Sequence, residues 1–192
     1  MKVNRKRKPV RRAKPKVKPW AEQYLTDHAV SVEFALRSHV KIYDDRILFH
    51  RICPLTGRDL DATSTRHKVP PIDTKTGKPM KFTRKRGGGN VLYFPSSLNW
   101  KPAFADTSVD FYIVESECSA LALAERDFYA IGTGGKDGVF MAGTKKQKLH
   151  EYLSNIKWSG RRVLLAFDGD VLTNQDVRES AHAAAKLFAE AV

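Results

Sequence analysis

Apolar and polar positions change rhythm part-way along the chain. Residues 20–38, WAEQYLTDHAVSVEFALRS, read as helical pieces. Tyr24 and Leu25 precede a possible cap at Thr26 or Asp27, and Val32, Phe34, Ala35 and Leu36 continue an apolar face after Ser31. RILFHRI, 46–52, has strand composition and runs into a turn at PLTG, 54–57. Residues 59–90 are polar and rich in Gly, Pro, Thr and Lys, a composition suited to irregular hairpins such as DTKTGKP, 73–79. VLYFP, 91–95, reads as another short strand. Together these features predict a small β-rich subdomain with long loops over 42–95.

From residue 109 buried runs alternate with helical ones. VDFYIVES, 109–116, reads as a buried strand, and ECSALALAERD, 117–127, as a helix with Ser116 at its N-cap. FYAIGTGG, 128–135, is a strand running into a glycine loop. KKQKLHEYLSNI, 145–156, places Leu149, Tyr152, Leu153 and Ile156 at helical spacing and predicts an amphipathic helix. RRVLLAF, 161–167, is a strand, and Thr173 or Asn174 caps a final alanine-rich helix over 175–191. The order β-α-β-α-β-α predicts an α/β domain with parallel strands and right-handed crossovers. The expected division is a basic tail at 1–19, a helix plus β-rich subdomain at 20–105, and an α/β domain at 106–192.

Charge sharpens this picture. The 192 residues carry a net charge of +13 and are 42% hydrophobic, enough apolar content for a core. Residues 1–18 hold ten Lys and Arg and no acid, which leaves about +3 for the rest. A Lys/Arg/Pro tail has little to bury and is expected to be disordered, either as a phosphate-tracking arm, a targeting signal or a solubilising tail. The two cysteines, Cys53 and Cys118, lie far apart with no Cys/His cluster, which argues against structural zinc and fits reduced thiols in the cytoplasm. No apolar run is long enough to span a membrane, and no signal-peptide core follows the basic start.

The chemistry gathers where strands end. In an open parallel sheet, functional groups collect beyond the carboxyl ends of the strands. One such strand runs into Glu115 and Glu117, and another into Asp168 and Asp170. Side chains two apart on an extended chain point the same way, so Asp168 and Asp170 can face one ion, with only Gly169 between them. Magnesium accepts hard oxygen ligands, and one or two carboxylates plus a substrate phosphate suffice. The plainer alternative is that Asp-Gly is a turn dipeptide and that Glu117 is a helix N-terminal acid favoured by the dipole. Glu115 takes the reactive role and Glu117 is a supporting metal ligand.

Glu115 closing an apolar strand, a helix, a glycine turn at 132–135, a second helix and FDGD ending a strand resemble a TOPRIM domain. That is the catalytic domain shared by bacterial-type primases, topoisomerases and some nucleases. VESECSALALAERDFYAIGTGG with LLAFDGDVLTN is more closely similar to the TOPRIM-like domain of phage and plasmid replication proteins, long catalogued as a domain of unknown function and often beside a helicase. Upstream, RILFHRICPLTGRDLDATSTRH and PMKFTRKRGGGNVLYFP resemble the subdomain that precedes TOPRIM in bacterial replicative primases. The resemblance covers about residues 24–190. It implies a TOPRIM-like parallel sheet flanked by helices, preceded by a small α+β primase-like subdomain. It also implies Glu115 as general acid or base, and Asp168 and Asp170 as ligands of Mg²⁺ or Mn²⁺. Two departures stand out: Ser116 occupies a position where glycine is usual, and Ser119 one where replicative primases carry another aspartate. No zinc-binding module precedes the domain and no helicase follows Val192, so any unwinding partner is expected on another chain or a removed segment.

The remaining candidates are basic. Lys75, Lys78, Lys81, Arg84, Lys85 and Arg86 crowd one stretch just before Gly87–Gly89, and Arg66 and Lys68 lie upstream. They read either as a groove for template backbone or incoming triphosphate, or as a solvated loop. The site expected from sequence is therefore Glu115 with Asp168, Asp170 and Glu117, and Arg66, Lys81, Arg84, Lys85 and Arg86 on nucleic acid or nucleotide. The leading expectation is a primase-like nucleotidyltransferase of a mobile-element replication protein. Its partners are a single-stranded DNA template, nucleoside triphosphates and a replicative helicase, with no membrane. The alternatives are a non-catalytic DNA-binding or helicase-docking module, and a TOPRIM nuclease.

Overall fold

A computed structural model describes residues 17–84 and 91–191, without the side chain of Asp170. The expected disorder of the basic tail falls mostly on 1–16, outside the described residues; Pro19 already opens the first helix. Proline suits that position, where its missing N–H has no helical partner. Helix α1, Pro19–Asp27, buries Ala21 and Leu25, and α2, Val32–Arg37, buries Phe34 and Ala35 behind a Ser31 cap that accepts the Phe34 N–H at 3.1 Å. α1 closes with Ala29 at φ 57°. The Ala29 N–H reaches Thr26 O at 2.9 Å and the Val30 N–H reaches Leu25 O at 3.0 Å, a Schellman ending with alanine at the position that usually holds glycine.

The next four strands form one antiparallel sheet in chain order: β1 (Val40–Ile42), β2 (Arg46–Ile52), β3 (Asp59–His67) and β4 (Phe82–Arg84). On β2, period-two alternation buries Ile47, Phe49 and then Arg51. A register shift between His50 and Arg51 marks a bulge just there.

The second sheet is parallel, with order β6–β5–β7: β5 (Phe111–Val114), β6 (Tyr129–Gly132) and β7 (Val163–Ala166). Its faces belong to different cores, as a parallel sheet requires. Phe111 and Ile113 face a cluster with Trp100 and Phe104 of α3 (Trp100–Ala105), Leu153 of α5 (Glu151–Ser154), and Ala184 and Phe188 of α6 (Gln175–Ala191). Tyr112 and Val114 face the opposite cluster, with Cys118, Ala120, Leu121 and Ala124 of α4 (Glu117–Ala124). That second cluster also contains Leu25, Phe34, Val40, Ile47 and Phe49, so α4 is clamped between the parallel sheet and the N-terminal subdomain. The chain is thus a mixed α/β fold with a three-stranded parallel sheet flanked by helices.

Two expected elements differ. The predicted helix over 145–156 is only α5, because Lys145 and Lys146 both adopt left-handed backbone, φ 49° and 64°. Leu149, Leu153 and Ile156 are buried all the same, Leu149 through a bridge to Phe140. The segment 91–95 is not a strand of its own. Tyr93 makes a single bridge to Gly132, exchanging N–H···O bonds of 2.7 and 2.9 Å, and so caps the edge of β6.

Candidate functional site

The registers Val114↔Gly132 and Val114↔Ala166 bring the three parallel strands to their carboxyl ends at one level. Glu115 follows β5 at once, and Asp168 lies two residues past β7. The Glu115 carboxylate accepts the backbone N–H of Asp168 at 3.2 Å. Its own carbonyl accepts the Gly135 N–H at 2.9 Å, and the Val114 carbonyl accepts the Thr133 N–H at 2.8 Å. The glycine turn after β6 and the acid turn after β7 are thus both tied to the end of β5.

The path of the chain changes at Gly169. A 3-10 turn runs from Gly169 to Leu172, with the Val171 N–H on Asp168 O at 3.1 Å. The extended geometry that would point Asp168 and Asp170 the same way ends there, and the Asp170 side chain is outside the described residues. The described pair is Glu115 with Asp168, both oxygen donors suited to a hard divalent cation. Among the described residues no group of three or more metal-ligating side chains gathers.

Glu117, the supporting ligand in the sequence reading, is occupied elsewhere. It is buried at 3% exposure and accepts Arg51 Nη2 at 2.6 Å. Burial pulls the Arg51 guanidinium below its ordinary pKa, against the opposite pull of Glu117. Arg51 Nη1 is buried with no hydrogen-bond partner. Ser119 is used locally: its N–H donates to Ser116 Oγ at 3.0 Å and the two hydroxyls lie 2.7 Å apart, capping α4.

The basic residues divide by position. Arg84, on β4, crosses to the glycine turn and donates to Gly134 O. Gly134 sits at φ 70°, a conformation that favours glycine, and the Arg84 guanidinium would have to shift to admit a Cβ there. Arg51 Nη2 would lie 3.6 Å from that same Cβ, so two guanidinium groups flank the turn beside the acids. Arg66 is held in the fold instead, 5.0 Å from the Tyr24 ring centroid and donating to Lys81 O at 3.1 Å. The Lys81 side chain is exposed, and Lys85 and Arg86 lie outside the described residues.

Two features escaped the sequence reading. Arg51 was legible only as a charge at the parity of Ile47 and Phe49. A clamp also joins the loop after β6 to α6: Ser180 donates to Asp137 at 2.7 Å, while Lys146 reaches Asp137 at 3.0 Å and Ser180 at 2.7 Å. Nothing in local composition announces it.

Residues 99–192 match a family described as Domain of unknown function (DUF3854). Neither the comparison with curated proteins nor that with solved structures gives a match. No described helix is long and apolar enough to cross a membrane.

Proposed function

We propose that the chain is a primase-like, metal-dependent nucleotidyltransferase domain of a phage or plasmid DNA replication protein. The observation that carries this reading is the hydrogen bond from the Asp168 backbone to the Glu115 carboxylate, which joins acids ending neighbouring parallel strands. Sites of this kind need charge neutralisation and in-line positioning more than covalent help. Asp168, with Asp170 beyond, would hold a divalent cation, Mg²⁺ or Mn²⁺, whose chemistry is to offset charge on the transferring phosphate. Glu115 takes the proton from the attacking hydroxyl, held in place by its bond to the Asp168 turn. Arg84, anchored on the Gly134 carbonyl, offers a guanidinium to phosphate oxygens at the same rim.

The test is labelled primer synthesis on single-stranded template with ribonucleotides and Mg²⁺ or Mn²⁺. Glu115→Gln and Asp168→Asn are each expected to lower product by about 100-fold or more, the scale of a lost acid–base group or ligand. Unchanged synthesis in both variants, or no product from protein that still binds DNA, overturns the reading. Cleavage of DNA with metal and no nucleotides would point to a nuclease. The Ser116–Ser119 pair favours one second reading, a non-catalytic DNA-binding or helicase-docking module, because it closes the helix cap with a neutral hydroxyl where primases carry an acid.

A further inference from the structure

Between β3 and β4 the chain leaves the sheet as an arm, residues 68–81, closed on itself. Ile72 bridges Pro79, the Asp73 N–H reaches Lys78 O at 2.9 Å, the Gly77 N–H reaches Asp73 O at 2.8 Å and the Met80 N–H reaches Pro71 O at 2.8 Å. Such bonding gives the arm a definite shape without a core. Val69 and Ile72 are 79% and 59% exposed and belong to neither hydrophobic cluster. Lys68, Lys75, Lys78 and Lys81 are all exposed. The one acid, Asp73, turns its carboxylate to the backbone N–H groups of Thr76 and Lys75, at 3.0 and 2.7 Å. The exposed surface of the arm is therefore cationic and also carries two exposed aliphatic side chains.

That combination selects a partner. Proteins that hold single strands supply aromatic rings for bases to stack on, and 68–81 contain none. Lysines flanking aliphatic side chains and prolines suit the groove of a duplex, with phosphates on either side and apolar wedges at the base steps. We propose that this arm grips double-stranded nucleic acid, its lysines on phosphates and Val69 and Ile72 wedged in a groove. The inference rests on the nucleotidyltransferase reading for its place in the reaction. The arm continues into β4 and so to Arg84 beside the acids. The six residue steps from Lys78 to Arg84 span at most about 20 Å, or about six base pairs of rise, so the arm holds the product duplex behind the growing end.

The experiment measures binding of the full chain by fluorescence anisotropy, without metal or nucleotide. The probes are a duplex of about 20 base pairs and its single strand, with anionic phospholipid vesicles as a third. Val69→Ser with Ile72→Ser is expected to weaken duplex binding about tenfold and single-strand binding by less than about twofold. Lys75→Gln with Lys78→Gln is expected to reduce the slope of log affinity against log salt by about 1.8 on duplex. Melting curves of both variants should match that of the parent, since all four side chains lie outside the cores. Unchanged duplex affinity in both variants, or equal losses on duplex and single strand, overturns the proposal. So does vesicle binding that the apolar variant abolishes while duplex binding stays intact. Failure of the parent chain to bind either nucleic acid removes the nucleotidyltransferase reading as well; retained binding in the variants removes the arm alone.

Discussion

Replacing Arg51 with methionine removes one half of a buried ion pair. The guanidinium and the Glu117 carboxylate are 2.6 Å apart, with side-chain exposures of 2% and 4%. Methionine fills much of the volume but leaves Glu117 charged and sealed from water. Breaking a buried pair in this way costs about 3–5 kcal/mol. At roughly 2–4 °C per kcal/mol for a chain of this size, the melting temperature should fall by about 6–20 °C. Glu117→Leu alone should cost a similar amount, because it strands Arg51, whose Nη1 already lacks a partner. The double variant, Arg51→Met with Glu117→Leu, should recover most of the loss and melt within about 2 kcal/mol of the parent, as apolar replacements of buried pairs do. Urea and thermal unfolding followed by circular dichroism give all four corners of the cycle. Single variants that each cost less than about 1 kcal/mol, or a double variant as poor as the sum of the two, would refute the reasoning.

Ala29 holds a left-handed φ of 57° at the end of α1, so Ala29→Gly should stabilise the fold by about 1 kcal/mol in urea unfolding. Gly138→Ala should cost about 2–3 kcal/mol, because its Cβ would collide with the Thr133 carbonyl oxygen and sit 2.7 Å from the carbonyl carbon. Gly160→Ala, at φ 76° with open space around it, should cost only about 1 kcal/mol; equal losses at the two sites would contradict this. Burial alone would raise the Asp137 carboxyl, but the Ser180 hydroxyl and the Lys146 ammonium outweigh it and hold it below the ordinary carboxylate value. A depressed folded value means the Asp137 contribution is full above about pH 4 and is lost as pH falls through that lower value. Asp137→Asn should therefore lower the melting temperature slightly at neutral pH, Asp137 being half-exposed, and the gap should close in acid.

Where structure is set locally, the residues announce it. Ser116 before an alanine- and leucine-rich run caps α4 as expected, accepting the Ser119 N–H. The final helix occupies 175–191 as its periodicity and caps require, with Asn174 Oδ1 accepting the Asp176 N–H. The apolar runs around 111–114 and 129–132 are largely buried strands, as a sheet covered on both faces requires, whereas 163–166 forms an edge strand, only half-buried and with Ala166 exposed. Local signals fail where distant partners decide. Leu149, Leu153 and Ile156 have helical spacing, yet left-handed lysines at 145 and 146 deliver them to the core by a loop and a single turn. Helix α3 carries Pro102 within it and gives no helical pattern. The approach of Glu115 to Asp168 follows from β5 and β7 being neighbours, and alternation of strands and helices foretells parallel strands but not that order. The loss of Glu117 to Arg51 does not, because the two lie 66 positions apart and meet only when α4 docks on β2.

The hydrophobic clusters on either face of the parallel sheet draw on both sides of residue 99, where the match to the DUF3854 family begins. A polypeptide started at that residue would lack Leu92 and Phe94 from one cluster and Leu25, Phe34, Ile47, Phe49 and Tyr93 from the other. It would present Cys118, Leu121 and Ala124 of α4 to water, along with a carboxylate at 117 deprived of its cation. The stretch that matches the family is thus expected not to fold on its own: expressed by itself it is a candidate for inclusion bodies, and soluble material should require residues 17–98 in the same chain or supplied in trans.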